Sequence, residues 1–261
     1  MTGDGYLLDN AQAAAGTRLQ ALSELFDAST FRHFDAVGLT AGWRVWEVGA
    51  GGPDVSRRLA DRVGPTGRVV ASDIDVSWLP EGKGFEVLRH DVAADPPPAG
   101  GFDLVHARLV LVHLPRREQA LASMVTALRP GGVLLVEDAD PVLQPLLCPD
   151  EFGPEQELAN RLRRGFRELL AARDADLAFG RTLPRLLRAA GLVDVGADAY
   201  FPITAPAATV LELATVDQVA DRLVAAGIAT TAELDLHRAN LRAGRVPDLA
   251  TSPMISAWGR R

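Results

Sequence analysis

Between Arg44 and Asp75 the chain alternates its hydrophobic period in a way few folds can absorb. Arg44-Val45-Trp46-Glu47-Val48 reads as a short apolar strand that breaks at Gly49-Ala50-Gly51-Gly52-Pro53. A helical stripe of Val55, Leu59 and Val63 follows, stopped by Gly64-Pro65, and the next apolar run, Arg68 to Ser72, ends at Asp73-Ile74-Asp75. A strand, a helix and a second strand joined so closely can pair only in parallel, with the helix crossing over one face. Such a unit must belong to a sheet whose two faces are both covered.

The pattern continues. Phe85 to Arg89 is a strand ending at His90-Asp91, and Phe102 to Ala107 is a fourth. After Pro115 a helix carries Leu121, Met124, Val125 and Leu128 on one side, and Pro130-Gly131-Gly132 is expected to end it. Val133 to Val136 makes a fifth strand, closing on Glu137-Asp138. Residues 1–40 read as helical, with Leu19, Leu22, Leu25 and Phe26 in phase and Ser29 or Thr30 capping a second short helix. Beyond residue 150 the period is again helical, through Leu158, Leu162, Phe166 and Leu169, then Leu183, Leu186 and Leu187. Short strands are expected at Gly191–Tyr200 and Met254–Trp258, with helices around Val210–Ala226 and Ala232–Ala243 between them.

Composition narrows the function classes. With 48% hydrophobic and 23% charged residues the chain is that of a globular protein. A net charge of −7 offers no basic field for a nucleic-acid backbone, so no nucleic-acid partner is expected. Cys148 is the only cysteine, which leaves no disulfide framework and no cysteine-based metal site; no metal is expected. The N-terminus does not read as a signal peptide and no apolar run is long enough to span a bilayer, so the expected location is cytoplasmic, with no membrane partner. Lys83 is the only lysine, and the Arg, Ala, Gly, Pro and Leu richness suggests a GC-rich bacterial genome.

A glycine turn at a strand tip lets backbone approach a ligand, because glycine tolerates positive φ and has no Cβ. An acid at the tip of the next strand can accept hydrogen bonds from a ribose diol, and Asp73 lies 22 residues after Gly51. In open parallel sheets such ligands bind outside the carboxyl ends of the strands.

Four motifs in order resemble the class I S-adenosylmethionine-dependent methyltransferases: Glu47-Val48-Gly49-Ala50-Gly51, Asp73-Ile74, His90-Asp91-Val92 and Leu128-Arg129-Pro130-Gly131-Gly132 before a strand. Phe102-Asp103-Leu104-Val105 fits that family's fourth strand. The resemblance implies a doubly wound α/β fold with a mostly parallel seven-stranded sheet, a helical N-terminal segment and a helical lid insertion. The corresponding division is an N-terminal cap at 1–40, a cofactor-binding core at 41–202 and 251–261, and a lid at 203–250. It implies S-adenosylmethionine as cofactor. Glu47, Gly49, Ala50 and Gly51 would hold its methionine moiety, Asp73 and Ile74 its ribose side, Asp91 and Val92 its adenine, and Arg108 would lie beside the methionine end. The pattern departs from the family at Pro53, where a third glycine is usual; a proline fits a helix start but donates no N–H. Read without the resemblance, the glycines could be a structural turn and Asp91 a turn former.

The implied reaction is in-line methyl transfer to a small acceptor, with aromatic or polyketide-like metabolites favoured by the lack of a basic patch. A base is needed only if the attacking atom must lose a proton. His113, just after the fourth strand, and Glu137 and Asp138, at the tip of the fifth, are the candidates. A structural role at a helix start is the plain alternative for His113, and a structural or solvent-facing role for the two acids. His106 and His33 read as packing or surface residues. Two other readings stand beside this one: an enzyme of the same fold and cofactor with a non-methylating reaction such as cyclisation, and a nicotinamide-dependent dehydrogenase. The dehydrogenase fingerprint would want glycine at position 54, which is Asp54. A homo-oligomer is compatible with the sequence.

Overall fold

The computed structural model describes residues 14–82, 84–173, 175–203 and 206–261. The first 13 residues of the expected cap, Lys83, and 204–205 of the expected lid lie outside them. The chain divides into two compact units, one of Phe26–Ala139, Ala178–Tyr200 and Met254–Arg261, the other of Met1–Leu25, Asp140–Leu177 and Phe201–Pro253.

The first unit is built on a seven-stranded sheet. Its strands are β1 (Arg44–Val48), β2 (Arg68–Asp73), β3 (Glu86–Arg89), β4 (Phe102–Arg108), β5 (Leu128–Ala139), β6 (Val193–Tyr200) and β7 (Met254–Arg260). They lie in the order β3-β2-β1-β4-β5-β7-β6, with β7 antiparallel to both its neighbours and the other pairs parallel. Helix α1 (Ala14–Val37), from Phe26 onward, and α2 (Asp54–Val63) cover one face, where Phe31, Phe34 and Leu59 meet Val45, Leu104 and Leu135. Helices α3 (Arg117–Ala127) and α5 (Leu183–Ala189) cover the other, where Met124 and Leu187 meet Trp46, Val105 and Leu134. Each strand thus sends alternate residues into two separate apolar layers, as the pleat requires.

Two local expectations are corrected. Helix α1 runs unbroken through Ser29 and Thr30, so Thr30 caps nothing; it is buried, and its hydroxyl is spent on a side chain of the sheet. Pro130-Gly131-Gly132 does not terminate α3, which already stops at Ala127; the three residues form the entry to β5. Gly131 donates to the carbonyl of Arg261, and a Cβ on Gly132 would stand 2.7 Å from the Phe102 carbonyl oxygen, beside the register shift between β4 and β5. Only glycine lets the two backbones approach that closely.

The second unit is helical. Its helices α4 (Pro154–Ala171), α6 (Pro206–Ala225) and α7 (Thr231–Arg242) pack together through Leu158, Leu162, Val216, Val219, Leu223 and Leu234. Helix α7 begins in a reciprocal cap, with the Thr230 hydroxyl accepting from Glu233 N–H and the Glu233 carboxylate accepting from Thr230 N–H. Residues 140–177, which the sequence reading assigned to the sheet core, belong here instead: the stripe of α4 is answered by α6 and α7. Inside this unit Glu212 of α6 is buried against Arg163 of α4 at 2.9 Å and His237 of α7 at 3.2 Å.

Candidate functional site

The glycine turn sits at the carboxyl end of β1, between the tips of β2 and β4. Gly49 and Gly51 adopt φ of 63° and 61°. A side chain at Gly49 would be doubly excluded, by its left-handed backbone and by Val110, whose Cγ2 would lie 2.3 Å from the added Cβ. The turn is tied to β2 twice: Ala50 N–H donates to the Ser72 carbonyl at 3.0 Å, and Gly51 N–H donates to Asp73 Oδ2 at 2.9 Å. Asp73 Oδ1 accepts from Asp75 N–H at 3.0 Å. Burial pushes the Asp73 carboxyl upward from its ordinary value, and these backbone donors work against that rise. The next residue, Ile74, is 65% exposed, an apolar surface beside Asp73. Pro53 is the N-cap of α2 and makes no side-chain cap, in keeping with its reading as a helix start.

Asp91 forms a turn, its Oδ1 accepting from Ala93 N–H at 2.9 Å, while Val92 is buried in the α3-side core. Asp91 N–H in turn donates to Asp95 Oδ2 at 2.9 Å, so the turn is held from both sides.

On the α1 side of the sheet, the carboxyl-end row is polar where the rows below are apolar. His106 is fully buried, with Nδ1 3.1 Å from Glu47 Oε2 and Nε2 3.2 Å from Glu137 Oε2. Glu137 also accepts from the Thr30 hydroxyl at 2.5 Å and the Ser256 hydroxyl at 2.6 Å, and lies 3.3 Å from His33 Nδ1. His33 Nε2 reaches Asp198 of β6 at 2.8 Å. Helix α1 is tied to the tip of β4 as well, since Arg108 bonds Asp27 and Thr30, both at 3.0 Å. Burial opposes charge on His106, but the attraction of Glu47 and the bonds to both acids outweigh it and raise its pKa to about 9. Burial likewise pushes Glu137 up, and the two imidazoles overcome it, holding that carboxyl well below its usual range.

The three candidate bases are therefore not gathered at one point. Glu137 faces α1 and is enclosed by donors, an arrangement that removes its ability to take a proton. Asp138, one residue on, faces the opposite side of the sheet and is fully buried. Burial raises its pKa well above the ordinary value, and the backbone N–H groups of Leu111 and Val112 pull the other way without satisfying either oxygen. It is suited to being a neutral acid. His113 closes the 3₁₀ turn Leu111–His113 and is half-buried. The turn follows Leu109, whose φ of 58° is rare for a branched side chain and whose N–H is fixed on the Glu137 carbonyl at 2.8 Å. His106 and His33, read from sequence as packing or surface residues, are both buried against aromatic rings and both paired with carboxylates, which the sequence reading did not anticipate. Their signal was parity: His106 alternates with Leu104 and Arg108, so it had to enter the same layer as Leu104.

Residues 46–136 match a family model described as a methyltransferase domain. This segment is thus similar to methyltransferase domains. The ubiquinone/menaquinone biosynthesis C-methyltransferase UbiE of Pseudomonas savastanoi is 36% identical over 109 residues, which are 38% of this chain and 43% of that protein. The corresponding protein of Laribacter hongkongensis is 33% identical over 156 residues, 56% of this chain and 62% of the relative. The chain thus spans about half the length of the curated relatives it matches. Phosphoethanolamine N-methyltransferase 2 of Haemonchus contortus shares the fold, with a TM-score of 0.60, 14% identity, and coverage of 100% of this chain and 60% of that one. The matched segment and β6–β7 together make one seven-stranded sheet, the fold shared with that neighbour. Its insertion of an antiparallel β7 between β5 and β6 departs from the 3-2-1-4-5-6 order of dinucleotide-binding sheets. Among the described residues no group of His, Cys, Asp and Glu is placed to hold a metal ion, and no helix is long and apolar enough to cross a membrane.

Proposed function

We propose that this chain binds S-adenosylmethionine at the glycine turn of its methyltransferase domain and transfers the methyl group to a small-molecule acceptor. One observation carries the reading: the backbone of Gly51 is hydrogen-bonded to Asp73, so the turn that approaches the ligand and the acid that would take its ribose are one rigid unit. The site fits the cofactor in shape and chemistry, with a cradle at Gly49 that a side chain would fill, an acid behind it and exposed Ile74 at the rim. Glu47 and the turn 49–51 would hold the methionine end, Arg108 would flank it, and Asp91-Val92 would border the adenine. Bound there, the cofactor supplies an electrophilic sulfonium methyl group. The residues' share is alignment and exclusion of water, effects that reach about 7–11 kcal/mol in favourable cases.

The net charge of −7 supports a small metabolite over a nucleic acid as acceptor. Segment 203–250 is the proposed lid, because it is inserted between β6 and β7, antiparallel neighbours that a short turn would join. His113 is the proposed base where the acceptor is a hydroxyl.

Isothermal titration with S-adenosylhomocysteine and with NAD tests the assignment. S-adenosylhomocysteine should bind in preference, and Asp73→Ala should weaken it by about 1–3 kcal/mol, the loss expected for a charged hydrogen-bond acceptor. Preference for NAD would overturn the reading.

A further inference from the structure

His106 lies beneath the glycine turn and its part in the polar row is not that of a packing residue. A neutral imidazole carries one N–H, yet both ring nitrogens of His106 face carboxylate oxygens, at 3.1 and 3.2 Å. Only the imidazolium donates to both. The Phe34 ring packs against it nearly at right angles, at a centroid distance of 4.9 Å. The charged groups that face it are Glu47 from β1 and Glu137 from β5. Beyond Glu137 stand His33 from α1, itself paired with Asp198, and Arg108 on its own strand, paired with Asp27.

We propose that His106 is a positioning residue for the cofactor's methionine end: clamped between Glu137 and Glu47, it fixes the Glu47 carboxylate so that Oε2 is occupied and Oε1 is presented to the ligand's ammonium group. Glu137 supplies the anchor. Its own position is over-determined by Thr30, Ser256 and His33, so the clamp has one rigid jaw and one that touches the ligand. The strand parity fits this division, since Glu47 stands one residue before the Val48-Gly49 step into the turn and Glu137 stands on the far side of β4. The raised pKa of His106, about 9, keeps the clamp formed across the neutral range. The proposal rests on the cofactor reading above.

The test compares two neutral variants that keep one jaw each. His106→Asn places an amide nitrogen where Nδ1 stands and retains the bond to Glu47; His106→Gln reaches the Nε2 position and retains the bond to Glu137. Against S-adenosylhomocysteine by isothermal titration, His106→Gln, which gives up the bond to Glu47, should lose about tenfold or more, the effect of one charge-assisted hydrogen bond, while His106→Asn, which keeps that bond but gives up the Glu137 anchor, should show a smaller loss of about threefold. Equal losses in both, or none in either, overturn the proposal. On the wild-type protein, ¹⁵N spectra at pH 7.5 should show a protonated Nδ1 whose signal moves when S-adenosylhomocysteine is added. An unprotonated Nδ1, or one indifferent to the ligand, overturns it without recourse to variants. Failure of the wild type itself to bind S-adenosylhomocysteine would instead remove the cofactor reading, and this proposal with it.

Discussion

Each of the two units buries a glutamate against a histidine, and the two clusters handle charge in opposite ways. In the helical unit Glu212 is neutralised chiefly by Arg163, and His237 joins through Nε2 alone, leaving Nδ1 without a hydrogen-bond partner among the described residues. Burial pushes the Glu212 carboxyl up, and Arg163 together with His237 more than reverses it. A guanidinium does not titrate in any range a protein survives. In the sheet unit the counter-charges to Glu47 and Glu137 are the imidazoles of His106 and His33, which do. Equal burial therefore produces different liabilities: the helical cluster is exposed only to acid, the sheet cluster to acid and alkali both. A cluster that must merely hold three helices together can use a permanent charge. The one beside the glycine turn has its charge on a group that can be adjusted.

Removing the centre of the sheet cluster should have the largest effect. Glu137→Leu strips the partner from two imidazoles and two hydroxyls, and urea unfolding followed by fluorescence should show a loss of about 3–5 kcal/mol, as for other broken buried pairs. All four tryptophans, Trp43, Trp46, Trp78 and Trp258, belong to the sheet unit, so their emission reads that unit. A loss below about 1 kcal/mol would put Glu137 on a level with a surface pair and dissolve the contrast.

Alkali should come next. His106 is raised from 6.5 to about 9 in the folded state, so its contribution is complete below about pH 6.5 and drains away as the pH climbs through 9. The full span is worth roughly 3 kcal/mol. Glu212 is lowered, so its contribution is present above the ordinary carboxylate range and is lost only on acidification. Between pH 7 and 9.5 the tryptophan-detected midpoint in urea should fall, while proteolysis within 154–242 at low urea should not accelerate. Parallel weakening of both units would show that the two clusters share one fate. The smallest effect belongs to Glu212→Gln, which keeps an acceptor for His237 and loses the charge opposite Arg163. Stability by far-UV circular dichroism should drop by about 1–3 kcal/mol, with affinity for S-adenosylhomocysteine unchanged. A changed affinity would connect the helical cluster to the ligand site.

Much of the sheet unit was open to sequence reading because its rules are local. β1 with its glycine turn, α2 with its Gly64 stop, and the acids at strand tips each announce themselves within a few residues. The order of the strands was not legible in the sequence, since nothing local tells β7 to enter between β5 and β6. The polar row stayed hidden because its bonds join residues far apart: 59 positions separate Glu47 from His106 and 107 separate Thr30 from Glu137. Thr30 was misread for the same reason. A threonine within a helical run looks like a cap until a carboxylate across the sheet claims its hydroxyl. The assignment of 140–177 to the core failed because an amphipathic stripe states that a helix has a partner without saying which.

Among the described residues β6 has one neighbour in the sheet, and that neighbour, β7, is translated after α6 and α7. On the ribosome β1 to β5 can assemble in the order in which they emerge, but β6 must wait, already synthesised and unpaired, for more than fifty further residues to clear the exit tunnel. During that interval its edge invites pairing with other nascent chains. Ser256 rides on β7, so the hydroxyl that completes the enclosure of Glu137 arrives with the same strand. Synthesis interrupted short of Met254 would thus yield a chain with an unfinished sheet and an unfinished polar row together, and the quality control that clears half-made sheets would clear half-made sites without needing to recognise them.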